Sequence, residues 1–304
     1  MNVEDSLLTG ATMATAIDAN QQTDRNSEEE IAAQDARERR NRTIRVWGLR
    51  VIVFVVIVGG WQLLADNKFI IDPFYWGKPS GIVTQLRTWF SSGTQFGSIW
   101  QQIWTTLQEA LLGFVYGTIG GVIVGLLLGQ SRLASDVASP YIKVTNAMPR
   151  IVLGALFTVA FGIGMTSKEI LASVLVFFGV FFNAFQGVRE VDQNLISNAR
   201  VLGASRWEIN RHVILPSAMT WIIASLHIAF GFAIIGAIVG EVLGSQHGLG
   251  LVITTSMNTF QPDGVFAGMV LIAVIALVAE WLIAALERRV LGWRPAAHME
   301  SAGV

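Results

Sequence analysis

From about residue 44 onward the chain alternates long apolar runs with short polar segments, while the first 43 residues hold no apolar run at all. A helix crosses about 30 Å of hydrocarbon with roughly 20 mainly apolar residues, and several runs reach that length. The pattern predicts an all-α integral membrane protein with about six transmembrane helices, over 44–65, 103–129, a segment within 136–164, 169–188, 217–243 and 265–286. The third of these is interrupted by Pro140 and Pro149, so it reads either as one kinked span or as an interfacial helix followed by a short span. Between the first two spans, Pro79-Ser80 opens a shorter amphipathic pattern. Ile82, Val83, Leu86, Trp89 and Phe90 share one of its faces, which is expected to lie on the membrane surface.

The charges orient these spans. Arg37, Arg39, Arg40, Arg42, Arg45 and Arg50 crowd the start of the first, and Glu287-Arg288-Arg289 closes the last. Cytoplasmic flanks carry the excess of Lys and Arg, so both termini and residues 189–213 are expected inside, with 66–102 and 244–264 outside. Composition agrees with the class: 52% of residues are apolar, 14% are charged, and mean hydropathy is +0.52, where a soluble domain carries about a quarter charged residues. Residues 1–43 form a cytoplasmic polar segment, expected to be disordered over 1–26. Ser27-Glu28-Glu29-Glu30 fits a capping box for a short surface helix, and equally a solvated charge run. The segment lacks the basic start and apolar stretch of a secretory signal. Residues 44–290 then form the membrane domain, and 291–304 a cytoplasmic tail.

Several chemistries are disfavoured. There is no cysteine, the four histidines are scattered, and no metal or cofactor is expected. No Gly-x-x-x-x-Gly-Lys-Ser/Thr loop occurs and no cluster of catalytic groups shares one depth, so the chain is not expected to be an enzyme. A secondary transporter, the alternative from another class, would show two related halves and charges deep in several spans; neither is evident.

Within the second span, Gly113, Gly117, Gly121, Gly125 and Gly129 recur every fourth residue. Such a stripe lets a second backbone approach closely, the usual basis of helix packing in lipid; Gly236, Gly240 and Gly244 repeat it in the fifth. The polar stretch at about 189–216 reads as helix, break, helix. Leu195, Ile196, Ala199 and Leu202 share a face, Gly203 suits a left-handed helix end, Ser205 is an N-cap, and Pro216 suits a first-turn position of the next span. The bland alternative is an interfacial hairpin carrying topology-setting arginines.

That stretch resembles the EAA loop of ABC importer permeases. Ser197-Asn198-Ala199 stands in the Glu-Ala-Ala slot, followed by Gly203 and, at the family spacing, Val213-Ile214-Leu215-Pro216. Ala147-Met148-Pro149-Arg150, Phe161-Gly162-Ile163-Gly164, Ser167-Lys168, Gly248-Leu249-Gly250 and Glu287-Arg288 extend the likeness toward the nitrate/sulfonate/taurine/bicarbonate branch. The resemblance implies a MetI-like, type I permease in a bacterial inner membrane, working as a dimer. It further implies ATP-binding cassette subunits docked on the loop and an extracytoplasmic substrate-binding protein, hence ATP-driven import with hydrolysis on a separate chain. Coupling would fall to Ala199, Leu202, Gly203, Ala204, Arg206, Leu215 and Pro216.

Two acids stand out in this charge-poor context, Glu109 toward the outer end of the second span and Glu241 toward the outer end of the fifth. Both are candidates for the translocation pathway, because a carboxyl inside a span faces a partner or a watery cavity. The resemblance implies an Arg where Glu109 stands in the anion-transporting members. A Glu there points to a neutral or cationic heterocycle of the thiamine-precursor or riboflavin kind, with nitrate, sulfonate or taurine-type anions as the alternative. The plainer reading pairs Glu109 with a nearby cation or with the headgroup region.

Overall fold

A computed structural model describes residues 41–67 and 72–290. The surface helix expected after Ser27 and the tail from 291 lie outside these residues, as do Arg37, Arg39 and Arg40. Two units are distinguished, 1–67 and 68–304. In the first, α1 (Asn41–Asp66) begins three residues before the expected span and is apolar around its circumference, as a helix surrounded by lipid requires.

In the second unit, α2 (Pro73–Trp76) and α3 (Pro79–Ser92) precede α4 (Ile99–Gln130). Then come α5 (Arg132–Ala147), a 3-10 turn (Arg150–Val152), α6 (Leu153–Phe161) and α7 (Met165–Arg189). α8 (Gln193–Val201), α9 (Arg206–Ile209) and a π-helical turn (Asn210–Ile214) lead into α10 (Leu215–Leu243), α11 (Leu249–Asn258) and α12 (Pro262–Val290). Among the described residues there is no strand beyond one isolated bridge, Thr94 with Gly97. Among the described residues five helices are long and apolar enough to span a membrane, and α5 with the α6 segment makes a sixth candidate bent by 74°. The bend falls at Met148-Pro149, whereas Pro140 is accommodated inside α5.

The centre of the unit is α4 against α7, with α10 packed on both. Its apolar core joins Ala110 of α4, Val176 and Val180 of α7, Phe230, Ala233 and Ala237 of α10 and Ala279 of α12. The α4 glycines make this approach possible. A Cβ on Gly117 would sit 2.7 Å from Val176 Cβ, on Gly121 2.8 Å from the Phe177 carbonyl oxygen, and on Gly125 2.7 Å from Ala184 Cβ. α10 repeats the device against α7 at Gly236, which meets Ala172, and at Gly240, which meets Lys168. Gly244 does not continue that row; it is the C-cap of α10.

One expectation needs correction. The apolar side of α3 is split: Ile82 and Trp89 are buried while Val83 and Phe90 stay exposed. Asp263 at the start of α12 accepts the Lys78 backbone N–H at 2.8 Å, and α3 packs along α12. A face buried against protein cannot also lie on lipid, so only the Val83 and Phe90 side is free to do so. Pro216 stands in the first turn of α10 as expected, although α10 does not start as a separate helix. The proline lies inside one helical run of 38 residues, Arg206–Leu243, directly after the π turn. A proline has no N–H for the carbonyl four residues back and its ring collides with it. The wider π turn is where such a mismatch is absorbed.

Candidate functional site

The stretch between α7 and α10 folds as a small rigid hairpin. Asp192 caps α8, its carboxylate accepting the Asn194 N–H at 2.8 Å. At the other end Gly203 takes φ +85°. Its N–H donates to the Arg200 carbonyl and the Ala204 N–H reaches back to the Ala199 carbonyl, each at 3.0 Å. This is a Schellman motif, which satisfies the last carbonyls of a helix and favours glycine at the left-handed position. Two residues on, the Ser205 side chain accepts the Glu208 N–H at 3.3 Å and the Glu208 carboxylate accepts the Ser205 N–H at 2.7 Å, a full capping box. The hydrogen bond from the Ser205 backbone holds the Glu208 carboxyl below the usual carboxylate range. Val191, Ile196 and Ile209 close a miniature core, with Ala199, Ala204 and Val213 against it.

On this frame Val201 and Leu202 are each 87% exposed, and Trp207 is 70% exposed. Ala199, Leu202, Gly203 and Ala204 line an open groove of about 370 Å³ together with Ile209 and Val213. Of the expected coupling residues these four are thus brought together. Arg206 lies outside that groove and lines a different cavity on the side of α4 and α7. Leu215 and Pro216 stand beyond the π turn, at the foot of α10.

Glu109 and Glu241 are brought together as well, but inside the protein: they are 2% and 1% exposed and close enough to act on each other electrostatically, and one Glu109 carboxyl oxygen, Oε2, is buried with no hydrogen-bond partner. Glu241 accepts the Thr106 hydroxyl at 2.6 Å and the Gly250 N–H. Thr106 in turn accepts the Leu249 N–H, and Gln102 accepts the Gly248 N–H, each at 2.8 Å. The first N–H groups of a helix have no partner within it; here side chains of α4 and α10 supply partners for α11. Lys168, fully buried, lies close enough to both carboxyls to act on them electrostatically. Its ammonium donates to the carbonyls of Ile163 at 2.7 Å, Gly164 at 3.0 Å and Gly244. The cluster therefore ties α4, α7, α10 and the turn into α11 together, and neither acid faces open space in this protomer. Lys168 is the cation nearest this pair, but its ammonium is taken up by those three carbonyls and makes no ion pair with Glu109.

Lys168, Gln102 and Thr106 had no assigned role in the sequence reading. A signal existed: Gln102, Thr106 and Glu109 continue the stripe of Gly113, Gly117, Gly121 and Gly125 at helical spacing, and all seven are buried. A polar set on the packing stripe of a span is a set that meets other helices.

The model of the binding-protein-dependent transport system inner membrane component matches residues 117–292 of this chain. The chain belongs to that family. It is a multi-span ABC transporter permease, a transport component with no catalytic function of its own. A candidate aliphatic sulfonates transport permease of Bacillus subtilis (strain 168), SsuC, is 30% identical over 262 residues, covering 86% of this chain and 93% of that one. The riboflavin transport system permease RibX of Chloroflexus aurantiacus (strain ATCC 29366 / DSM 635 / J-10-fl) is 29% identical over 162 residues, covering 53% and 60%. In fold, the permease resembles a chain of the MetNI methionine ABC transporter in an inward-facing conformation. Its TM-score is 0.57 at 20% identity, over 63% of this chain and 97% of that one.

Proposed function

We propose that this permease forms half of the translocation pathway of a dimeric, ATP-driven importer. A separate ATPase subunit seats on the α8–α9 hairpin, and an extracytoplasmic binding protein delivers the solute. The observation that carries this reading is the hairpin itself. Large apolar side chains held out in water on a doubly capped frame mark a surface built for a partner. Ala199, Leu202, Gly203 and Ala204 form its contact groove, and Leu215 and Pro216 join it to the span that it moves. Closure of the ATPase pair then tilts α10 and opens the pathway outward, and reopening after hydrolysis releases solute inside.

The solute we assign is a small organic anion of the alkanesulfonate class, supported by the sulfonate-permease relative that spans most of the chain. The heterocycle reading retains the riboflavin-permease relative, but Glu109 is buried beside Glu241 in this protomer, which weakens the argument that rested on it. The test is ATP-dependent uptake of labelled alkanesulfonate and of riboflavin by the assembled importer in proteoliposomes. Sulfonate uptake that requires the binding protein is expected. Riboflavin uptake alone would replace the substrate and leave the permease role standing. ATP hydrolysis indifferent to the presence of the permease would overturn the role itself.

A further inference from the structure

On the side of the α8–α9 hairpin that faces the ends of α4 and α7 lies a second and larger cavity of about 610 Å³. Its wall is assembled from four places in the chain. The end of α4 contributes Gln130, the start of α5 Arg132, the end of α7 Arg189, and the hairpin Arg200 and Arg206. Four guanidinium groups thus border one space, and no Asp or Glu lines it.

The acids nearest in sequence to Arg189, Arg200 and Arg206 are engaged elsewhere, while Asp136, one turn beyond Arg132 on α5, is exposed and does not line the cavity. Glu190 accepts from Gln186 at 2.7 Å, Asp192 caps α8, and Glu208 closes the capping box. Among the described residues none of the four arginines has a carboxylate within ion-pairing distance. Arg189 rests over the Phe185 ring, 5.1 Å from its centroid.

Helix dipoles account for part of this charge. Arg189 and Arg200 stand in last turns, where cations are favoured. Arg206 is the first residue of α9, where a cation is disfavoured. The bias of positive residues toward the cytoplasmic side requires arginines somewhere near these helix ends. It does not require them to converge on a single cavity from four segments.

We propose that this cavity is a binding site for a tetrahedral oxyanion, a phosphate or sulfonate group clamped by Arg132, Arg200 and Arg206. Such a group matches the planar fork of guanidinium and accepts paired hydrogen bonds from it. Occupancy neutralises like charges drawn together at the joint between the spans and the hairpin, and so fixes the angle at which the hairpin meets α4 and α7. The group comes either from the headgroup of an anionic phospholipid or from a soluble oxyanion, and both present the same chemistry.

The test uses the full permease in its importer complex, in nanodiscs of phosphatidylcholine alone. In one arm inorganic phosphate and methanesulfonate are titrated by calorimetry; in the other, retention of added phosphatidylglycerol is counted by native mass spectrometry. Binding in at least one arm is expected, weakened at least tenfold in Arg132→Gln/Arg200→Gln and less than twofold in Arg211→Gln, an exposed arginine outside the cavity. Lipid retention alone identifies a headgroup, and titration alone a free oxyanion. If the double Gln variant fails to assemble, Arg132→Lys/Arg200→Lys keeps the charge without the fork and is expected to bind at least threefold more weakly. Binding in neither arm would overturn the site, as would equal loss in Arg211→Gln or unchanged binding in the assembled double variant.

Discussion

At Gly203 the constraint is conformational and not steric. Nothing lies within 4 Å of where a Cβ would be, yet φ is +85°. A β-branched residue there costs about 1–2 kcal/mol of backbone strain, enough to unseat the Schellman motif while leaving the spans untouched. Gly203→Val is therefore expected to insert normally and to lower transport and binding-protein stimulation of ATP hydrolysis together. Wild-type uptake by a well-expressed variant would contradict the coupling role. Glu241→Ala removes the acceptor of the Thr106 hydroxyl and of the Gly250 N–H at once. Thr106 can still donate to the Gln102 carbonyl at 3.2 Å, but leaving the buried Gly250 N–H unpaired costs roughly 1–3 kcal/mol, so a drop in melting temperature of the purified permease is expected. Glu109→Gln keeps size and hydrogen-bonding capacity beside Glu241. Uptake within about threefold of wild type is expected, since an amide replaces the carboxyl with little change in volume; a switch in solute preference would return Glu109 to the pathway. Gly203, Ser205 and the two acids were legible as special residues in the sequence. That Glu109 and Glu241 meet was not, because they lie 132 residues apart, as their numbers show, and only the packing of α4 against α10 joins them.

Among the helices, the glycine stripe of α4 is the feature that sequence spacing conveys best, since a fourfold repeat of missing side chains has few uses in lipid beyond close approach. Its structural partner, α7, could not be read from that spacing. Contrasting substitutions separate packing from propensity. Gly117→Leu would drive α4 off Val176 and is expected to abolish assembly of the permease, read as loss of the monodisperse peak in size-exclusion chromatography. Gly231→Ala in α10 meets nothing within 4 Å, and it is expected to be neutral or to stabilise by up to about 1 kcal/mol through helix propensity. α3 shows the limit of an amphipathic pattern. One apolar face looks the same whether it meets lipid or protein, and here Trp89 went to protein. At the broken span, both prolines signalled a break, but only Pro149 makes it; Pro140 is carried in the ninth position of α5, in the helix interior, with no structural explanation.

At the scale of the whole permease, the charge bias predicts the side of every loop at once, and the cysteine-free chain allows a direct check. Ser205 and Asn258 are both exposed. With an impermeant thiol reagent on intact cells, Ser205→Cys should stay unlabelled until the membrane is permeabilised, and Asn258→Cys should react at once. The reverse result would invert the protein and remove the hairpin from the ATPase side. One dimension of the molecule then has a mechanical meaning. At 1.5 Å per residue the run Arg206–Leu243 is a rod about 57 Å long, nearly twice the apolar thickness that it crosses. Pivoting such a rod about its middle by about 10° displaces each tip by about 5 Å in opposite senses, with no change in its own internal geometry. One tip carries the hairpin. The other carries Glu241, whose carboxylate grips the first turn of α11 through the Gly250 N–H, so a push on the hairpin end would arrive at the turn into α11 as a pull of similar size.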